Sequence, residues 1–381
     1  RSSGVLPVSA GSETERRIQP HDRGITLAQL RTLGQRVERE SAAWKRIGRG
    51  NSFEGHEARP DLNVDITLFD VLDEYMKKGT PDELEVSLVE HMFGNVVQEP
   101  EYCVNMPFAM SFHEMLRAIE WHAEARELSD KTVYWSSFTS LSSKDLTDWF
   151  SRGGQDTSTI VLKLDTKIEG LVLLVDNQLA MLRRLGPCRS LYNFLCVEAK
   201  SRPCDICCST GVLSSSKPFR GKGYEFAHFD LHIAEAMTNF DVTQLSIQSP
   251  QEAAILAEIS GDYSYAQLAE MRSCSDVDAL PKFEHTRRAS KGHKIFNHTI
   301  RSLACGPVLR EKAYQDNAEE IEQLVFRTGI SLISPVLTGT HGEDPLMVAS
   351  AAGCLQAMEM LLQLQADPNR RDAMGETPLH Y

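Results

Sequence analysis

The chain has 381 residues, a formal net charge of -13 and 41% hydrophobic residues, so it is long enough for more than one domain and can supply substantial cores. The acidic balance argues against broad nucleic-acid backbone binding, which needs clustered Lys and Arg. Apolar runs as short as Leu171–Val175 lie far below the ~20 residues of a membrane span, and there is no apolar secretory segment near the start. Nine cysteines, an odd number without regular spacing, read as free thiols and point to an intracellular, cytoplasmic location.

In chain order, residues 1–25 are rich in Ser, Gly, Arg and Glu and have no apolar period, the composition of a disordered segment. After Thr26, Leu27, Leu30, Leu33 and Val37 recur on one helical face, and Gly, Asn, Arg and Pro then dominate Gly48–Pro60, so residues 26–59 read as a helix and a loop. Thr67 is placed to cap a second helix carrying Leu68, Val71, Leu72 and Tyr75, with Gly79 as its stop.

From about residue 100 short apolar strands alternate with helices. Tyr102–Met106 predicts a strand, and Ser111 with Glu114 has capping-box spacing for a helix from Phe112 to about Leu128. Thr132–Phe138 predicts a β-branched and aromatic strand, Lys144–Ser151 a short helix and Leu171–Asp176 a buried strand, while Thr159–Leu164 fits either class. Ser190–Ala199 reads as helix and Cys204–Cys208 as strand. Ser249, Pro250 and Glu252 supply the cap, the Pro at N1 and the acid at N3 of a helix to about Ile259. Such alternation implies an α/β domain over residues 60–262, with a mostly parallel sheet covered on both faces. Residues 263–304 read as a linker or partly helical bridge containing the basic pair Arg287 and Arg288.

Gly342-Glu343-Asp344-Pro345-Leu346 recurs 33 residues later as Gly375-Glu376-Thr377-Pro378-Leu379. Between them run Ala349, Ala352, Gly353, Leu355, Met358, Leu361 and Leu362, then Ala366-Asp367-Pro368-Asn369. Period and residues together resemble the ankyrin repeat. The resemblance implies an all-α solenoid over residues 305–381, with an earlier degenerate unit at Leu309–Leu332 and a last unit cut after its first residues. Because a solenoid needs about three repeats, the stack is expected to lean on the upstream domain or on further repeats. Asp344 replaces the usual Thr but can still cap, and Gln365 stands where Gly usually takes a left-handed conformation, at a cost of about 1 kcal/mol. The resemblance also implies binding of a protein partner, with Arg370, Arg371 and Met374 on the turn between repeat starts as the expected contacts.

Upstream, Tyr134, Trp135 and Phe138, the apolar strand Leu171–Asp176 and Arg189 resemble motifs of TIR-like α/β domains found in algal and dinoflagellate proteins, often joined to ankyrin repeats. The resemblance covers about residues 26–262 and implies a flavodoxin-like sheet and self-association. Cys103–Phe108 occupies the first motif without its His or Trp, and Leu141-Ser142 stands where the family has Asn-Gln. Leu191, Tyr192 and Leu195 replace the Trp, Cys and Glu that follow the motif Arg, and that Glu is the residue associated with NAD cleavage. Glu198 lies three positions later and shares a helical face with the lost site, which makes it the one catalytic candidate.

Other patterns carry less. Cys204 and Cys207 with His228 and His232 have zinc-ligand spacing, but three residues apart on a strand two cysteines face opposite sides. Phe138–Ser143 is hydroxyl-rich like a strand of mono-ADP-ribosyltransferases, yet the later Glu320-Ile321-Glu322 lies in the degenerate repeat and the hydroxyls suit a helix cap. Arg287-Arg288-Ala289-Ser290 fits a basophilic kinase site, which makes Ser290 a phosphorylation candidate. The reading is a protein-binding scaffold with an inactive TIR-like domain and no cofactor, metal, nucleic acid or membrane. Its alternative is an NAD nucleosidase or nucleotide-binding domain recruited by the repeats.

Overall fold

The computed structural model describes residues 18–41, 44, 66–76, 86–146, 168–197, 202–214, 229–247, 249–273, 290–334, 337–339 and 341–381. Gly48–Pro60, Gly79, Thr159–Leu164, Arg287 and Arg288 lie outside these residues.

The sheet has six strands: β1 (Ile25–Thr26), β2 (Tyr102–Asn105), β3 (Val133–Ser136), β4 (Gly170–Leu174), β5 (Cys204–Cys208) and β6 (Gly211–Ser214). Their order is β1-β3-β2-β4-β5-β6, with β3, β2, β4 and β5 parallel and the two edge strands antiparallel. Numbered among themselves, the parallel strands run 2-1-3-4, a doubly wound sheet whose order reverses between β2 and β4. Every residue of β4 and β5 is buried, as strands covered on both faces require. The edges were not foreseen from sequence: β1 is too short to show alternation, and β6 follows β5 after only Ser209 and Thr210.

Residues 18–25 correct the expectation of disorder. Pro20–Asp22 forms a 3-10 turn, and Ile18, His21 and Arg23 are buried. The polar composition misled because Arg23 is itself interior: its Nε donates to Ile18 O and lies 3.2 Å from Glu90, and its Nη1 lies 3.7 Å from Asp145. A buried guanidinium is held by such partners rather than by apolar periodicity.

Helix α1 (Leu27–Glu40) starts in a capping box between Thr26 and Gln29 and buries Leu27, Leu30, Leu33 and Val37. Helix α2 (Leu68–Met76) starts at Thr67, which exchanges bonds with Asp70. A short α3 (Leu88–Phe93) follows. Helix α4 (Phe112–Ala125) departs from expectation at both ends. It stops at Ala125, and Ser111 makes no side-chain cap, while Phe112 N–H pairs with Ile66 O at 2.7 Å. Glu114 lies at the carboxyl edge of the sheet. Strand β3 ends at Ser136, whose Oγ accepts from Thr139 N–H and opens the one-turn α5 (Ser137–Ser140). Helix α6 (Leu185–Tyr192) begins earlier than the sequence suggested and runs into a π-turn over Asn193–Val197.

Helices α7 (Leu231–Thr238) and α8 (Pro250–Ser260) come next, α8 capped by Ser249 and stopped by Gly261 in the left-handed region. The stretch read as a linker or partly helical bridge holds α9 (Tyr265–Ser273) and the start of α10 (Lys291–Tyr314), a single 24-residue helix. Its buried face mixes Phe296, Ile300, Leu303 and Val308 with Gly292, His293 and Asn297, and those small and polar members blur the apolar period. Then come α11 (Ala318–Thr328), α12 (Pro345–Ala352) and α13 (Leu355–Gln363).

The last four helices form two stacked hairpins, α10 against α12 and α11 against α13. Helix α10 thus packs against α12, and its other neighbours include α7 and α8. One continuous buried cluster runs from Ile25 to Ala366. Among the described residues no helix is long and apolar enough to cross a membrane.

Candidate functional site

In doubly wound sheets ligands bind beyond the carboxyl ends of the strands, near the reversal of strand order. At the carboxyl edge, one strand over from that reversal, this chain has a shallow cleft between the ends of β4 and β5, lined by Glu114, Asp176, Ser209, Asp230 and Ile233 among others, with a cavity volume of about 20 Å³. Asp176 accepts from Ala180 N–H and Asp230 caps α7 through Ile233 N–H, so both carboxylates also serve local backbone. Among the described residues no group of three or more His, Cys, Asp or Glu is placed to hold a metal ion.

The titratable residues that do converge lie at the opposite edge. Arg126 grips Asp205 through two bonds of 2.9 and 2.7 Å and donates a third to Ser214 Oγ. His122 Nε2 lies 3.2 Å from Asp205, close enough for charge attraction but outside hydrogen-bond alignment, while its Nδ1 is 3.0 Å from the Tyr134 hydroxyl. Burial alone would raise the Asp205 pKa, but His122 and Arg126 outweigh it and hold the carboxyl below its ordinary value. Burial pushes the Tyr134 hydroxyl well up and the Tyr102 hydroxyl to about 12. His122 and Asp205 have no solvent access, so this network ties α4 to the sheet rather than meeting a ligand. Sequence reasoning missed it, although one signal was present: a lone Asp inside the otherwise apolar Cys204–Cys208 strand.

The sequence-derived candidates fall as follows. Arg189 is paired with Glu258 at 3.0 Å, and Glu198 lies outside the described residues. Cys204 and Cys207 are both buried on β5, where their spacing puts them on opposite faces; burial raises both thiols. His228 lies outside the described residues. The hydroxyls of Ser136, Thr139 and Ser142 are buried and spent on local caps. Ser290 caps α10: its Oγ accepts from His293 N–H at 3.2 Å and donates to Ser260 O at 3.1 Å. A phosphate there would remove the hydroxyl proton given to Ser260 O.

In the repeats, Asp344 is buried and its Oδ1 accepts from Met347 N–H, capping α12 as Thr does in the usual motif. Gln365 does take the left-handed conformation, with φ 65°. Gly342 and Gly375 have φ 84° and 85°, and the turn of one unit is bonded to the next through Ala373 N–H and His341 O. Asp372 organises this tip by accepting from Met374 and Glu376 N–H and from the Tyr381 hydroxyl, and its carboxyl sits below the ordinary value: burial raises it, and these bonds outweigh that. The three tip residues then separate. Arg370 is half-buried and donates to Ser334 O, whereas Arg371 is exposed and Met374 is 82% exposed.

Paired antiparallel helices stacked side by side, with bonded turn tips and left-handed stops after each helix, define a helical-repeat segment. Residues 332–381 match the family described as ankyrin repeats (many copies). A stretch of 85 residues is 32% identical to Rabankyrin-5 of Mus musculus, covering 20% of this chain and only 7% of that protein.

Proposed function

We propose that this chain is a protein-interaction scaffold in which the ankyrin segment binds a protein partner and a TIR-like α/β domain, without its own chemistry, holds the repeats in place. The observation that carries this is the repeat tip, where Arg371 and Met374 project to solvent from a turn whose backbone is fixed by Asp372. Exposed Arg and large apolar side chains on a rigid turn are the residue types that anchor interfaces. Partners cross-linked to the full chain should bind Arg371→Glu/Met374→Glu on the order of tenfold or more weakly, with the unfolding transition unchanged. A folded double variant that keeps full affinity sinks the assignment of the tip.

The TIR-like part of the reading is supported by the 2-1-3-4 order of the parallel strands and by the motif residues Tyr134, Trp135 and Arg189. The reading of a domain without its own chemistry rests on Leu195 standing where the motif has its Glu. The folded chain incubated with NAD should release no nicotinamide. Release by the wild type but not by Glu198→Ala would replace this reading with a nucleosidase recruited by its repeats.

A further inference from the structure

Helix α7 has its two ends in different parts of the molecule. At its start, Asp230 and Ile233 form part of the carboxyl-edge cleft, and Asp230 Oδ1 holds Ile233 N–H at 3.0 Å as the helix cap. At its end, Glu235 lies 3.2 Å from Lys312 Nζ, which also lies 2.8 Å from Glu320 of the degenerate repeat. Thr238 Oγ1 accepts from Arg327 Nη2 at 3.3 Å, and Arg301 Nε donates to Phe240 O at 2.7 Å. Between the two ends Ala234 and Met237 are fully buried. Eight residues of helix span only about 12 Å.

We propose that α7 couples the carboxyl-edge cleft to the ankyrin stack, with the Asp230 cap as its switching element. Bonded to Ile233 N–H, the Asp230 carboxylate closes the first turn of α7. When that bond is lost the turn is uncapped, and the frayed helix loosens its hold on Lys312 and Arg327. Because such coupling is reciprocal, an event at the repeats that displaces Lys312 or Arg327 loosens the cleft wall. A short helix suits this role, since one cap is a large share of what closes its first turn.

Hydrogen exchange by mass spectrometry on the full chain tests the coupling without a ligand. Asp230→Ala, which removes the cap, should raise exchange about fivefold in residues 231–238 and also in residues 318–328. Asp230→Asn, which can still cap, should leave both segments near the wild type. Faster exchange confined to residues 231–238 overturns the proposal, and so does a uniform rise across the chain, which would mean general destabilisation. Lys312→Met reads the reverse direction and serves if Asp230→Ala does not fold: it should speed exchange around residues 230–233, and an unchanged first turn of α7 also overturns the coupling.

Discussion

Replacing Asp205 with Ala should destabilise the chain by roughly 3–5 kcal/mol, the cost of breaking a buried ion pair by removing one partner. The substitution removes the carboxylate that takes two bonds from the Arg126 guanidinium, 18% exposed, and lies 3.2 Å from buried His122. Urea unfolding of the wild type and the variant measures the difference, and a loss under 1 kcal/mol would contradict the placement of the network in the core. The same group predicts the acid limb of stability. The folded-state pKa of Asp205 is lowered, so its contribution is complete above the unfolded carboxylate value near ~4 and is lost as pH falls through the folded value. The wild type should therefore lose stability progressively below about pH 5. Asp205→Ala should show a shallower decline over that window, with the two curves converging at the acid end.

The second large effect is expected at Gly292→Ala. A Cβ at this position would clash with Ile259 O and lie 2.7 Å from Ser260 O, both backbone atoms that cannot move aside as a side chain would. The cost should reach or exceed the top of the ~1–3 kcal/mol range for overpacking, although Ala is intrinsically the better helix former. Gly186→Ala in α6 is the control, because nothing lies within 4 Å of a Cβ there. Equilibrium unfolding separates the two. Hydrogen exchange in Gly292→Ala should also rise at residues 250–260 and 291–300, where the end of α8 meets the start of α10. Equal stability of the two alanine variants would show that the helices do not meet as closely as described.

What could be read from the sequence followed from local rules. The Thr26 capping box, the Ser249-Pro250 start of α8 and the buried strand around Leu171–Leu174 are signalled by residues within one turn or one strand of each other. The repeat was legible because a turn glycine, a cap and a Pro return in the same order 33 residues later. Features that depend on distant partners were not legible. Arg23 looks like a polar tail residue until Glu90 and Asp145 are brought to it. Residues 291–304 failed as a helix signal because His293 and Asn297 are buried through bonds to Leu256 O and to Val242 N–H, contacts no periodicity shows. At the tip, the sequence grouped Arg370 with Arg371 and Met374, and only the fold distinguishes the Arg that turns back to Ser334.

The shared helix α10 also bears on how such a chain can be rearranged over generations. Modules that meet at a loop can be exchanged by recombination at that loop. Here a breakpoint within residues 291–314 would fall inside one continuous helix that contacts α7, α8 and α12. The first hairpin is therefore inherited with the α/β body, and tolerated gain or loss of repeats should fall beyond Gly329, where the chain leaves the α10–α11 pair.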